Sequence, residues 1–415
     1  MNQLIIEGGS RLYGEINISG MKNSALPVIY ACILIKENCI LQNIPRVSDV
    51  ENSIEILNNM GANAYFIDNN TLFINTSRMD ENVSGYELIS KMRASSYLMG
   101  AMLSRFHKVK LPMPGGCNFG TRPIDLHLDG FKKMGADICF DGTFVSIKAE
   151  NGLKCCKITL DKISVGATIN IIIASVLTKG TTIIENVAKE PHVDDLIQFL
   201  NDCGAKIVRV CNSIVIIGVE KLHGTTYRVF PDMIEALTYI TFVGITKGEL
   251  LLTGIEYDHL KTTCNYFKKM GFIIKSFSNK LSVKVEQKVH GINVSTSPYP
   301  GFPTDLHPQF SSLLCFSEDG GEIIEEVFPT RFQYVDELKR LGARIQRTSN
   351  MVKVFPSEMY GSSTYATDLR AGASLVAASL GCKGITTINN VNYIVRGYES
   401  LVDKISSIGG KIKLI

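Results

Sequence analysis

Six times along its 415 residues the chain repeats one phrase: a helical pattern ending in an apolar residue, then glycine, usually alanine, and a strand-like run. The glycines are Gly61, Gly135, Gly204, Gly271, Gly342 and Gly409, about 70 residues apart. Glycine directly after a helix marks the left-handed C-cap, a conformation that a Cβ disfavours. Lys132, Lys133, Lys268, Lys269, Lys339 and Arg340 fall in the last turns before these glycines, where the helix dipole favours cations. Each unit also contains a second helical segment, starting near Lys22, Arg93, Ser164, Asp232, Asp305 or Asp368. The stretch from Ser164 to Leu177 is apolar almost all round, which predicts a buried helix. Strand-like runs such as Thr181 to Glu185 and Glu322 to Glu325 lie between the two helices. Each repeat therefore reads strand–helix–strand–loop–helix–strand. Units this long exceed solenoid repeats and predict small α/β subdomains around a shared helical core. The chain is longer than one core usually serves, so six units divide into two domains of three.

Composition narrows the function. Lys+Arg 43 against Asp+Glu 40 is too balanced for a nucleic-acid footprint, so any positive charge that meets an anionic ligand must be local. The apolar run Ile169 to Leu177 contains Asn170 and is too short to span a bilayer. The first residues lack the basic-then-apolar order of a signal peptide. Eleven cysteines show no Cys-x-x-Cys pair and no zinc-like spacing. The expectation is a reduced, cytoplasmic protein with no metal, no membrane association and no nucleic-acid partner, and with most cysteines packed as small core residues.

Between the repeats, the stretch Pro114 to His127 departs from helix and strand. Gly115, Gly116 and Gly120 surround Cys117, and Pro112, Pro114 and Pro123 punctuate the segment. Arg122 follows the cysteine by five residues, and nearby positive charge draws a thiol toward thiolate. On local composition, a catalytic thiol and an incidental surface cysteine stand equal. Elsewhere the chemically distinctive residues gather at helix starts and inter-helix loops. They include Lys22, Asn23, Arg93, Lys162, Asp305, Arg331, Arg370 and Arg396. Helix N-termini bind anions, and arginines at repeat-equivalent positions suit phosphate or carboxylate ligands.

These residues sit in stretches that resemble the enolpyruvyl transferases. The matching segments in the first half are Gly20-Met-Lys-Asn-Ser-Ala-Leu-Pro27, Lys91-Met-Arg-Ala-Ser95, Leu111-Pro-Met-Pro-Gly-Gly-Cys117, Arg122-Pro-Ile-Asp-Leu-His127, Asp161 to Thr168 and Gly180-Thr-Thr-Ile-Ile-Glu-Asn186. The second half supplies Phe302-Pro-Thr-Asp305, Arg331-Phe332, Ala366-Thr-Asp-Leu-Arg-Ala371 and Arg396-Gly-Tyr398. The resemblance spans Leu4 to Ile415 and is strongest to the branch acting on UDP-N-acetylglucosamine. It implies two inside-out α/β barrel domains, each of three similar repeats with pseudo-threefold symmetry, hinged over the active site. The domains would be residues 22–230, with the catalytic-cysteine loop, and residues 1–21 plus 231–415, with the aspartate base and phosphate-binding arginines.

The implied reaction moves enolpyruvate from phosphoenolpyruvate to the 3′-hydroxyl of UDP-N-acetylglucosamine, releasing phosphate, as the first committed step of peptidoglycan precursor synthesis. It proceeds by addition and elimination through a tetrahedral ketal and requires no metal or organic cofactor. By resemblance Asp305 takes the hydroxyl proton, and Cys117 delivers a proton to C3 of the enol and forms a covalent adduct with the donor. Lys22 and Arg396 join them as catalytic residues. Lys22, Asn23, Arg122, Arg331, Arg370 and Arg396 bind phosphoenolpyruvate. Asn23, Arg93, Arg122, Pro123, Ile124, Asp125, Leu126, Lys162, Ser164, Val165, Gly166, Asp305 and Val327 bind the nucleotide-sugar. Without the resemblance, Asp305 reads as a helix N-cap, His127 as a packed helix residue and Asp368 as a structural partner of Arg370.

Four positions depart from the family pattern: Met21, Met233, Leu237 and His307. They bear on substrate affinity rather than on the reaction. The sibling branch acting on shikimate 3-phosphate normally lacks a loop cysteine, and Lys22-Asn23 with Gly116-Cys117 argues against it. Met233 and Leu237 leave open a specialised nucleotide acceptor. A non-catalytic paralogue that binds UDP-sugar would have lost Cys117, Asp305 or Arg396, and all three are present.

Overall fold

The computed structural model describes residues 3–82, 85–112 and 124–415. They form two compact units. One comprises residues 3–19 and 231–415, the other residues 20–112 and 124–230. The N-terminal strands go with the first unit because of their pairing. Leu4–Glu7 lies antiparallel between Ile385–Asn389 and Lys411–Leu414, and Tyr13–Asn17 runs parallel to Glu249–Thr253. Gly20 and Met21 go with the other unit, where the Met21 N–H donates to the Phe230 carbonyl at 2.7 Å.

In the unit of residues 3–19 and 231–415, the helices Met233–Thr246, His307–Phe316 and Leu369–Gly381 are buried on nearly every face and pack on one another. Three separate four-stranded sheets lie outside them. In the other unit the buried helices are Lys22–Ala31, Tyr97–Phe106 and Val165–Ser175, again with three sheets. A helix apolar all round needs protein on every side, whereas these strands alternate buried and open residues, with one face on the core.

All six predicted capping glycines have φ between 86° and 99°. At each, the glycine N–H bonds the carbonyl three residues back, and the next N–H bonds the carbonyl five residues back, as with Gly61 to Asn58 and Ala62 to Leu57. This is the Schellman arrangement, which satisfies the last carbonyls of the outer helix. The repeat differs from expectation in two respects. Its last strand is a hairpin of two, as in Lys206–Val210 with Ser213–Ile217. In addition, among the described residues no sheet closes into a barrel. In each four-stranded sheet one edge strand pairs parallel, the rest are antiparallel, and both edges stay open.

Six described cysteines are buried, while Cys139, Cys155 and Cys211 are exposed, and none of the described cysteines is in a disulfide. No helix among the described residues is long and apolar enough to cross a membrane. The four departures from the family pattern, Met21, Met233, Leu237 and His307, are all buried.

Candidate active site

In the unit of residues 20–112 and 124–230, three helix starts carry the residues expected to hold a nucleotide-sugar. Arg93 opens a 3₁₀ turn that runs into the Tyr97–Phe106 helix. Asp125 and Leu126 begin the Asp125–Lys133 helix just after the buried Ile124, and Asp125 is exposed. Ser164 caps the Val165–Ser175 helix, its Oγ accepting from the Ala167 N–H at 3.3 Å. Lys162 stands exposed just before it, and Val165 and Gly166 are half-buried. One buried chain of hydrogen bonds locks these three starts together. The Gly100 N–H donates to Asn170 Oδ1 at 2.9 Å, and Asn170 Nδ2 meets His127 Nδ1 at 2.8 Å. A backbone N–H can only donate, so it fixes the amide with its nitrogen toward His127. The imidazole must then accept at Nδ1. Gly166 completes the lock, since a Cβ there would come within 2.9 Å of the His127 ring. Burial, with the charge of Arg93, pushes the His127 pKa down to about 3. Burial also lowers that of Arg93, against the pull of Tyr97 and Asp125.

This buried neutral imidazole predicts an acid-labile unit. Between about pH 6.5 and pH 3 the unfolded chain binds a proton at this residue that the folded chain refuses. Stability is then fully present above pH 6.5 and falls on acidification by up to about 1.4 kcal/mol per pH unit. Urea midpoints measured from pH 7 to pH 4 should fall less steeply for His127→Gln than for the natural chain. Equal slopes would remove His127 as the titrating group.

Lys22 opens the first helix of the same unit, and its Nζ pairs with Asp49 at 3.0 Å. Asn23 lies in the same first turn, half-buried. Cys117, Arg122 and Pro123 lie outside the described residues.

In the unit of residues 3–19 and 231–415, Asp305 is not a helix cap. The following helix begins at His307, with Pro308 in its first turn, and Leu306 stands at its cap. The Asp305 carboxylate turns instead to two buried arginines. Arg331 Nη1 donates to Oδ1 at 2.7 Å and Arg370 Nη2 to Oδ2 at 3.3 Å. The aspartate side chain is 28% exposed, the two guanidinium side chains 4% each. Burial opposes charge on both arginines, yet Asp305 and Asp368 beside Arg331, and Tyr398, Asp305 and Asp232 near Arg370, raise their pKa values above the ordinary one. Asp368 acts as a cap, accepting from the N–H groups of Arg370 and Ala371. Behind Arg370, Nη1 donates to the Tyr398 hydroxyl at 3.0 Å, which also meets Thr238 Oγ1 and Gln309 Nε2. Arg396 lies half-buried in the turn beyond the Val391–Tyr393 3₁₀ helix, and Val327 is half-buried after the Gly321–Ile324 strand. The structure thus joins Asp305, Arg331 and Arg370 in one cluster and gathers Arg93 and Gly166 around His127, with the Asp125 charge acting on Arg93. Sequence reasoning missed Asn170, Tyr398, Thr304 and Glu325, which orient these groups from behind.

The fold has close counterparts. The enolpyruvyl transferase NikO from Streptomyces tendae superposes with a TM-score of 0.90 at 26% identity, over 100% of this chain and 99% of that one. This defines an enolpyruvyl transferase fold of mixed α/β content. A family model described as EPSP synthase (3-phosphoshikimate 1-carboxyvinyltransferase) matches residues 6–405. Among curated relatives, the UDP-N-acetylglucosamine 1-carboxyvinyltransferase of Halothermothrix orenii is 43% identical over 100% of both chains. That of Endomicrobium trichonymphae is 40% identical over the same full extent. The chain belongs to the enolpyruvyl (1-carboxyvinyl) transferase family.

Proposed function

We propose that this chain transfers enolpyruvate from phosphoenolpyruvate to the 3′-hydroxyl of UDP-N-acetylglucosamine, with release of phosphate, in peptidoglycan precursor synthesis. The observation that carries this reading is the Asp305 carboxylate set between two buried guanidiniums, in a chain whose full-length relatives bear the corresponding name. Asp305 takes the proton of the sugar hydroxyl, and a carboxylate fixed in place by two charged donors does so with little reorganisation. Arg331, Arg370 and Arg396, with Lys22, Asn23 and Arg122, hold the donor's phosphate and carboxylate, and Cys117 supplies the proton to C3. Arg93, the segment 122–126, Lys162, Ser164, Val165, Gly166 and Val327 hold the nucleotide-sugar. Lys22 exchanges its Asp49 partner for phosphate oxygens. The three sheets outside three buried helices in each unit support the inside-out, pseudo-threefold reading of the fold.

The acceptor is tested by substitution. With phosphoenolpyruvate fixed, UDP-N-acetylglucosamine should support turnover and shikimate 3-phosphate should not. Turnover with shikimate 3-phosphate alone would assign the chain to the sibling branch.

A further inference from the structure

Glu325 follows the Gly321–Ile324 strand, is 0% exposed and is ringed by donors. Its Oε1 accepts from Thr296 Oγ1 at 2.8 Å, the Val327 N–H at 2.9 Å and the Phe328 N–H at 2.8 Å. Its Oε2 accepts from Thr304 Oγ1 at 2.9 Å and faces His307 Nδ1 at 3.0 Å. One oxygen therefore fastens the loop that leads to Arg331, whose N–H bonds the Phe328 carbonyl. The other fastens the residues on either side of Asp305. The two meet again at the guanidinium, because Arg331 Nη1 donates to the Thr304 carbonyl and hydroxyl, each at 3.2 Å, as well as to Asp305.

We propose that Glu325 is a positioning residue for the reaction, acting through Thr304 and His307 to hold Asp305 and Arg331 in register. This rests on the reading of Asp305 as the base. The direction of the hydrogen bonds carries the argument. The Thr304 hydroxyl has one proton and gives it to Glu325, which leaves its lone pairs for Arg331. His307 is buried and meets the Tyr334 hydroxyl at Nε2, 2.6 Å away. Burial lowers the His307 pKa against the pull of Glu325, so the ring is neutral, donates at Nδ1 and accepts at Nε2. Burial alone would raise the Glu325 pKa, but His307, the Phe328 N–H and Thr296 bring it below the ordinary carboxylate value. Only an ionised carboxylate accepts from all five donors. An amide at this position sets its own NH₂ against either the 327–328 backbone N–H groups or the Thr304–His307 pair, so Asp305 and Arg331 lose their common anchor.

The test is steady-state kinetics. Glu325→Gln should lower kcat about 100-fold, the scale of a misplacement of about 1 Å, with KM for the nucleotide-sugar within about threefold. Thr304→Val should do the same, while Thr304→Ser, which keeps the hydroxyl, should restore kcat. In an Asp305→Asn background Glu325→Gln should add no further loss. If Glu325→Gln fails to fold, the Thr304 pair decides the matter. Full kcat in Thr304→Val, or equal loss in Thr304→Ser and Thr304→Val, overturns the positioning role. Normal turnover in Asp305→Asn instead overturns the base on which it rests, so the two failures are told apart.

Discussion

Asp305→Asn should lose turnover by about 10²–10⁴-fold, the usual contribution of a positioned general base, while the nucleotide-sugar still binds. Asparagine keeps the shape of the side chain and can still accept a hydrogen bond from Arg331. It cannot take a proton, and it no longer neutralises the guanidiniums. Two buried cations then lean on Asp368, Tyr398 and the Thr304 oxygens. Breaking one partner of a fully buried pair costs about 3–5 kcal/mol, and the partial exposure of Asp305 reduces that. A modest fall in Tm should therefore accompany the loss of turnover. Isothermal titration with UDP-N-acetylglucosamine and a turnover assay on the same preparation separate the two effects. Near-natural turnover would remove Asp305 from the chemistry, whereas lost binding with lost turnover would mean a damaged fold.

The second large effect concerns Cys117. A small epoxide phosphonate such as fosfomycin, the inhibitor the family resemblance implies, should alkylate this one cysteine of eleven. The thiolate opens the epoxide: a C–S bond forms, a C–O bond breaks, and the alkoxide takes up a proton. Exposure alone would direct the reagent to Cys139, Cys155 and Cys211. On the proposed reading, selectivity would instead come from thiolate character near positive charge and from guanidiniums that bind the phosphonate. Bound UDP-N-acetylglucosamine should accelerate the reaction. Cys117→Asp should escape labelling, since a carboxylate is a poor nucleophile. Peptide mass spectrometry after timed exposure reads the outcome. Label spread over Cys139, Cys155 and Cys211 would sink the assignment of Cys117 as the reactive thiol.

What was legible in the sequence was local. The six glycines announced their backbone conformation, because the Schellman turn places one residue at positive φ whatever packs around it. Ser164, Asp232 and Asp368 announced helix starts, and each accepts backbone N–H bonds there. Asp305 shows the limit of local reading. It occupies the same position in its repeat, yet its helix starts two residues later, and arginines 26 and 65 residues away take its carboxylate. No local pattern encodes such contacts, and here the family resemblance carried the assignment.

Glu325 left a signal that could have been read. Strand alternation sets it on the same face as the buried Ile323. A charge on the core face of a strand demands partners, and so points to a network. His307, a departure from the family pattern beside Asp305, is buried between Glu325 and Tyr334, a placement that no local sequence pattern announces. The second strand of each hairpin was missed because its short apolar alternation, as in Ser213–Ile217, merges with the strand before it.

The most direct test of the account is release of inorganic phosphate from phosphoenolpyruvate by the full chain, measured with and without UDP-N-acetylglucosamine. The account predicts sustained release only when the nucleotide-sugar is present, with one enolpyruvyl-sugar formed for each phosphate. No release with both substrates present, or release at the same rate without the nucleotide-sugar, would contradict it.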